Sequence, residues 1–179
     1  MLDKLTYFWK FLHFSIYSWL RYFQLTTNRM LGYCLRFEFA KHLWARRGVY
    51  GEDAIKKRIN FETANAKWSP VVLQAGIHMG GILVILQFSI VFFILGILGG
   101  EALSLFFEYV YFYGLIFLVL AGVINYFLLF KEDRYLIDFA KFEKLPRRAL
   151  LKYKILSFFL ICSVIASFFI SLLWAVGRS

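Results

Sequence analysis

Residues 71–98 read VVLQAGIHMGGILVILQFSIVFFILGIL and contain no Asp, Glu, Lys or Arg. The stretch is longer than the roughly 20 apolar residues that a helix needs to cross a bilayer. Trp68 before it suits a membrane interface, Ser69 suits a helix N-cap, and Pro70 suits the first helical position. The apolar run ends at Gly99-Gly100. These features predict a membrane-spanning helix.

Two further stretches, residues 102–130 and 155–176, are also long and apolar enough to cross a membrane. Hydrophobic residues make up 61% of the 179-residue chain and aromatic residues 21%, whereas soluble domains are about 45–50% apolar. The sequence therefore predicts an all-α integral membrane protein with three transmembrane helices.

The distribution of basic residues predicts the orientation of the spans. Residues 1–70 carry 12 Lys/Arg and 5 acids, and residues 131–154 carry 8 and 4. The turn at 99–108 carries only two acids, Glu101 and Glu108. Because Lys and Arg accumulate in cytoplasmic loops, we expect the N-terminus inside and the C-terminus outside. The expected location is the bacterial inner (plasma) membrane.

The chain divides into four regions: a cytoplasmic or interfacial region (1–69), a transmembrane hairpin (70–130), a linker (131–154), and the third span with a short tail (155–179). Within the first region, residues 5–23 favour an interfacial helix. A fourth span stays open as an alternative. Because no small-residue cleavage site follows this stretch, we do not expect it to be a cleaved signal peptide. Two more helices are predicted, an amphipathic one at 29–47 and a mostly polar one at 52–67.

The linker at 131–154 has helical periodicity. Its predicted apolar face is formed by Leu136, Ile137, Ala140 and Lys144, broadened by Phe139 and Phe142. Pro146 breaks or restarts the helix. We expect this amphipathic helix to lie on the inner leaflet or to pack on the N-terminal region.

Polar side chains recur along one side of each span. Residues four apart share a helix face, and amides or imidazoles inside a span are either interhelical bonding groups or functional sites. Both interpretations stay open here. The candidate pore-lining residues are Gln74, His78, Gln87, Ser163, Ser167 and Ser171.

Small residues predict close helix packing in lipid, since they let backbones approach. The candidates are Gly76, Gly80, Gly114, Ala121 and Asn125. At the predicted outer turn, Glu101 and Glu108 either form a carboxylate ring around the mouth of an oligomeric pore or simply mark the outer side.

Catalytic and metal-binding patterns are missing from the sequence. Its three histidines are scattered, and HExxH, GxSxG, CxxC and Walker A patterns do not occur. We therefore expect no enzymatic activity and no cofactor. Cys34 and Cys162 lie in different kinds of segment and are not expected to pair.

Basic residues of the cytoplasmic region could contact anionic lipid or an anionic ligand such as a nucleotide, an oligonucleotide or an acidic protein. The candidates are Arg46, Arg47, Lys56, Lys57, Arg58, Arg147 and Arg148. Three spans make a thin bundle, so the small-residue faces predict a homo-oligomer.

Three functions fit the sequence, the third of which is a membrane anchor that recruits nucleic acid or an acidic protein. The first is a small homo-oligomeric channel or membrane-permeabilising effector, of the kind found in bacterial antiviral defence, gated by an anionic ligand. The alternative is a non-catalytic membrane subunit of a larger transporter or secretion complex.

Overall fold

The structure, a computed structural model, describes residues 2–34 and 69–178. Its regular elements are α1 (Leu2–Cys34), α2 (Pro70–Leu98), α3 (Gly100–Glu108), α4 (Val110–Asn125), a π-helical turn (Tyr126–Phe130), a 3-10 turn (Lys131–Asp133), α5 (Arg134–Glu143) and α6 (Arg147–Val176). Three helical segments are long and apolar enough to cross a membrane, namely α2, the stretch from Val110 to Glu143, and α6. The all-helical class and the three apolar helices are thereby confirmed.

The chain forms two compact units. One contains residues 1–15 and 76–179, and the other contains residues 16–75. In the second unit the structure describes 16–34 and 69–75, where the Arg21 guanidinium lies 5.9 Å from the centre of the Tyr17 ring. The predicted helix at 52–67 and most of the one at 29–47 lie outside the described residues.

Helix α1 runs without interruption through residues 24–28, where the sequence predicted a boundary between two helices. These five residues include no Gly or Pro to break the helix. The Thr26 hydroxyl also donates a hydrogen bond of 2.9 Å to the carbonyl of Tyr22, so its polar group is satisfied along the helix. Among the described helices α1 is not a candidate span.

The predicted second span at 102–130 is wrong at its start, because the chain bends at Tyr109. The predicted turn at 99–108 is instead a short helix, α3. It follows Gly99, whose positive φ of 96° suits glycine. Two buried residues of α3, Leu103 and Phe106, attach it to α2 and α6. They form an apolar cluster with Phe92, Leu95 and Ala175. Helix α4 then runs back along the bundle.

The linker differs only in part from its predicted face. Phe139 and Phe142 are buried, as predicted, together with Tyr135, whereas Ile137 is 58% exposed. The Phe142 ring lies 4.9 Å from the Phe11 ring, centroid to centroid, so α5 packs on the first half of α1. Aromatic packing against α1 has selected the face. Before α5, Glu132 and Asp133 adopt left-handed φ values of 59° and 54°.

Helix α6 begins at Arg147, eight residues before the predicted third span, directly after Pro146. It runs parallel to α2, since Phe92 packs on Phe168 with ring centres 5.9 Å apart and Gly96 lies beside Trp174 further along. Helix α4 runs antiparallel to α2, because Gly80 lies beside Asn125 and Phe88 beside Phe117.

Candidate functional site

Contacts between the three long helices place their residues at common depths. On α2, Gly76 lies beside Phe130 and Gly96 beside Trp174. These two glycines are separated by 20 residues, or about 30 Å of helix, which matches the hydrocarbon thickness of a bilayer. The same length separates Lys154 from Trp174 on α6. We call the two ends of the bundle the Lys154 end and the Trp174 end.

Aromatic side chains support these boundaries. Tyr109 and Tyr111 are 51% and 91% exposed near the Trp174 end, and Tyr126 is 56% exposed near the Lys154 end. Tyrosine and tryptophan favour the two interfaces of a membrane. A bilayer placed between the two ends therefore has its mid-plane near residue 86 of α2.

Gln74 and His78 lie at the Lys154 end of α2, and both side chains are exposed. Relative to Gly76, His78 falls about 3 Å inside the hydrocarbon boundary. Gly81 continues this face, and a Cβ added there would meet no atom within 4 Å. The exposed polar face of α2 thus lies at an interface.

Gln87 is different, because it lies within one residue of the estimated mid-plane. Its side chain is partly buried, and within the described part of the chain its Oε1 is a buried acceptor without a hydrogen-bond donor. A buried amide oxygen without a donor destabilises a protein by about 1–3 kcal/mol. Among the candidate residues, Gln87 is therefore the one whose hydrogen-bonding groups are least satisfied.

The serines of α6 bond to their own helix. Ser163 Oγ donates to the Leu160 carbonyl at 2.8 Å, Ser167 Oγ to Val164 at 2.9 Å and Ser171 Oγ to Phe168 at 3.0 Å. Such back-bonding satisfies hydroxyls within a span. Ser163 is exposed, Ser167 is partly buried and Ser171 is buried, so the stripe turns from lipid towards α2.

The candidate packing residues lie at contacts of unequal closeness. A Cβ on Gly76 would come within 2.6 Å of the Phe130 ring, one on Gly80 within 3.5 Å of Asn125 Nδ2, and one on Gly114 within 3.9 Å of the Phe88 ring. Of these three positions, only Gly76 is too close to its neighbour to accommodate a Cβ. The tightest contact involves Gly96, where a Cβ would overlap the Trp174 indole.

Ala121 and Asn125 are buried on α4, with 1% and 5% of their surface exposed. The Asn125 Oδ1 accepts a hydrogen bond of 3.4 Å from the indole Nε1 of Trp9, 116 residues away in the chain. Asn125 therefore connects α4 to α1. It is not a polar group left open to lipid.

The first half of α1 is buried in an aromatic cluster at the Lys154 end. Phe11 has its ring 4.7 Å from Tyr153, and Phe14 lies 5.4 Å from Phe139, centroid to centroid. His13 is 1% exposed, with its ring 5.1 Å from Phe139. The sequence drew attention to His78, but in the described residues His13 is the buried imidazole.

Two polar contacts accompany these rings. The Ser157 hydroxyl donates to the Ser15 hydroxyl at 3.2 Å, and both residues are fully buried. Lys10 Nζ lies 2.9 Å from Asp138 Oδ2, as an ion pair and not as an aligned hydrogen bond. Burial, followed by the charges of Tyr153 and Asp138, raises the pKa of the Tyr7 hydroxyl, so this tyrosine stays neutral at physiological pH.

The charged candidates lie apart from these contacts. Glu101 and Glu108 are exposed at the two ends of α3, and Arg147 and Arg148 are exposed at the start of α6. Five other basic candidates fall outside the described residues: Arg46, Arg47, Lys56, Lys57 and Arg58. Cys162 is a free, exposed thiol. In residues 2–34 and 69–178, no group of three His, Cys, Asp or Glu side chains could hold a metal.

Sequence reasoning missed the residues that join α1 to the bundle, above all Trp9, Ser15 and Ser157. Each is a single polar group without a periodic pattern, so only the fold reveals its partner. Comparison with family models, with curated proteins and with solved structures finds no match to this chain. Its function is therefore argued from its own residues.

Proposed function

We propose that the chain is a small homo-oligomeric membrane channel or membrane-permeabilising effector, possessing three spans and gated from its basic N-terminal region. The N-terminus lies in the cytoplasm and the C-terminus outside, as the distribution of basic residues indicates. In a bacterial inner membrane, such a protein would act as a defence effector that dissipates ion gradients.

The observation that carries this proposal is Gln87. Its Oε1 is a buried acceptor without a donor among the described residues, and it lies near the mid-plane of the bilayer. Lipid tails offer no hydrogen-bond donor. The side chain as a whole is only partly buried, so a change of rotamer would let water in a path between protomers, or an amide of a second copy, supply one. Polar groups at this depth commonly mark such paths.

The exposed face at Gln74 and His78 supports association of several copies. Amide and imidazole groups exposed near the hydrocarbon boundary are placed better against another protomer than against lipid. Gly81, on the same face, leaves room for a neighbouring backbone. His78 and Gln87 are nine residues apart, about 180° around α2, so contact between copies through this face leaves Gln87 on the other side of the helix.

The first half of α1 supplies a route for gating. It contacts α4 through Trp9 and Asn125, α5 through Lys10 and Asp138, and α6 through Ser15 and Ser157. A partner that displaces α1 therefore changes contacts to three elements at once. The partner is anionic (a nucleotide, an oligonucleotide or an acidic protein), because basic residues flank this end of the bundle.

The test is the mass of the purified protein in detergent, followed by ion flux from liposomes that contain the same fraction. We expect a discrete homo-oligomer that passes ions. Gln87→Leu should strongly reduce flux, because an apolar constriction at mid-membrane expels water. Ile90→Leu, one turn away on the same helix, keeps the surface apolar and should leave flux largely intact.

A monomer without flux, even after addition of an oligonucleotide or acidic peptide, would contradict the channel. The exposed polar face of α2 would then be a docking face for other chains, as expected for a non-catalytic subunit of a transporter or secretion complex. Co-purification of a stoichiometric partner chain would establish that alternative.

A further inference from the structure

A groove of about 440 Å³ runs between α2 and α6 in the half of the bundle nearer the Trp174 end. Its lining is apolar apart from three serine positions, and the Oγ of each serine bonds to a carbonyl of its own helix. The lining residues are Leu86, Ser89, Ile90, Phe93, Ser167, Ile170, Ser171 and Trp174. Small serines beside large neighbours create the groove, and its surface offers almost no polar contact to an occupant.

A positive charge lies at one end of this groove. The Arg178 guanidinium is 4.0 Å from the centre of the Trp174 ring, and this ring lines the groove. Trp174 in turn stacks on Phe93 with ring centres 6.4 Å apart. The guanidinium is therefore held over the aromatic wall, at the level where lipid head groups begin.

The dimensions match one leaflet of a bilayer. The groove extends from Leu86, at the estimated mid-plane, towards Trp174, at the hydrocarbon boundary. The ten residues from position 86 to Gly96 correspond to about 15 Å, half of the hydrocarbon thickness. Arg178 follows the end of α6 at Val176, and its guanidinium lies over the Trp174 ring at the hydrocarbon boundary, where a phosphate is expected.

We infer that this groove is a binding site for a single phospholipid, with one acyl chain between α2 and α6 and the phosphate bound by Arg178. The apolar lining takes the chain, and the guanidinium, with its fork of N–H donors, pairs with the phosphate oxygens. The site does not depend on the proposed channel, since it lies on one protomer and needs only a membrane.

The test uses phosphatidylglycerol that carries a photoreactive diazirine in one acyl chain. The full-length protein is purified in detergent, mixed with this lipid, illuminated and mapped by peptide mass spectrometry. We expect labelling at the groove, on peptides containing Ile90 or Ile170. A diacylglycerol with the same reactive chain, which has no phosphate, should label these peptides about fivefold less, as expected for loss of one Arg–phosphate attraction.

Two matched pairs of variants separate the parts of the site. Ser167→Phe fills the groove and should abolish its labelling, whereas Ser163→Phe, one turn away on the exposed side of α6, should not. Arg178→Gln should lower phosphatidylglycerol labelling to the diacylglycerol level, whereas Arg147→Gln, at the other end of α6, should not.

Equal groove labelling of wild type and Arg178→Gln would overturn the phosphate assignment without any question of folding, because Arg178 follows the end of α6. Equal loss in Ser167→Phe and Ser163→Phe would overturn the groove as the chain site. If Ser167→Phe instead changes the oligomeric mass and no groove peptide is labelled, the occupant is a second copy of the chain and the proposal is wrong.

Discussion

The two ends of the bundle are held together by different chemistry. At the Trp174 end, a buried apolar cluster joins α2, α3 and α6, and the buried Ser89 and Ser171 of this half bond only to carbonyls of their own helices. At the Lys154 end, the buried residues include His13, Ser15, Asn125 and Ser157, and α1 brings a further ion pair between Lys10 and Asp138. Contacts between helices at the first end are apolar, whereas those at the second end combine aromatic packing with polar pairing.

This difference suggests that the two ends of the bundle have different roles. Apolar packing fixes the geometry of a helix contact, because large side chains interlock. Paired polar groups can be separated when a competing partner offers charge or hydrogen bonds. The Lys154 end is thus the end at which a ligand would alter the structure, and the Trp174 end is the fixed part of the bundle.

The largest expected effect comes from Gly96, which fixes the contact between α2 and α6 at the Trp174 end. A new Cβ would overlap the Trp174 indole and meet the Ala175 Cα at 3.2 Å, so the helices must separate. Gly96→Val should lower the free energy of unfolding by about 3 kcal/mol, the upper range for overpacking. Unfolding by SDS in mixed micelles, followed by far-UV circular dichroism, measures the change.

Gly122 on α4 provides the control, because nothing lies within 4 Å of its Cβ position. Gly122→Val should change the free energy of unfolding by less than about 0.5 kcal/mol, since valine and glycine differ little in helix propensity. Equal destabilisation by both changes would show that the Trp174 end is not held by this close contact.

The ion pair at the Lys154 end should have the next largest effect. The side chains of Lys10 and Asp138 are 22% and 14% exposed. Lys10→Met leaves the Asp138 carboxylate partly buried without its cation, so we expect a loss of about 2 kcal/mol, reduced from the fully buried case by solvent screening. The double variant Lys10→Met with Asp138→Leu should recover most of that loss, and failure to recover it would contradict the pairing.

The buried serine pair should contribute less. Ser157→Ala removes the donor to Ser15 and should lower the free energy of unfolding by about 1 kcal/mol, the size of an interhelical hydrogen bond in a membrane protein. Ser15→Ala should have a similar effect, and the double variant should cost little more than either single change. Strictly additive losses would mean that the two hydroxyls act separately.

The smallest effect concerns the turns at the two ends. Gly99 has a positive φ of 96° at the Trp174 end, while Glu132 has a positive φ of 59° at the Lys154 end. Glu132→Gly should raise the free energy of unfolding by about 0.5–1 kcal/mol, because glycine adopts this conformation without a Cβ clash. Gly99→Ala should lower it by a similar amount. Melting temperatures in the same detergent test both. Arg134 Nη2 lies 3.0 Å from Glu132 Oε2 in an exposed ion pair, and a destabilising Glu132→Gly would show that this pair outweighs the backbone strain.

The structure of the apolar end could be predicted from the sequence better than that of the polar end. The uncharged run at 71–98 and the Pro70 start predicted α2 closely, because length and hydropathy decide whether a helix crosses a bilayer. The bend at Tyr109 was missed, since it depends on how Leu103 and Phe106 pack against α2 and α6. No local signal marks that packing.

The polar end could not be read from sequence, because its pairs join distant parts of the chain. Ser15 and Ser157 are 142 residues apart, and Trp9 and Asn125 are 116 apart. Asn125 was predicted only as part of a packing stripe. Gln87 could be selected from its position within an apolar run, but its unsatisfied oxygen depends on neighbours that only the fold supplies.

The proposed channel requires that water reaches Gln87, and this can be measured by cysteine accessibility in liposomes. In a background with Cys34→Ser and Cys162→Ser, Gln87→Cys is compared with Ile90→Cys, one turn away on the same helix and 54% exposed to the surroundings. Because the reactive thiolate forms only where water is present, a membrane-impermeant thiol reagent should modify position 87 at least about tenfold faster than position 90. Equal protection of both positions would show that Gln87 is sealed from water and would contradict the channel.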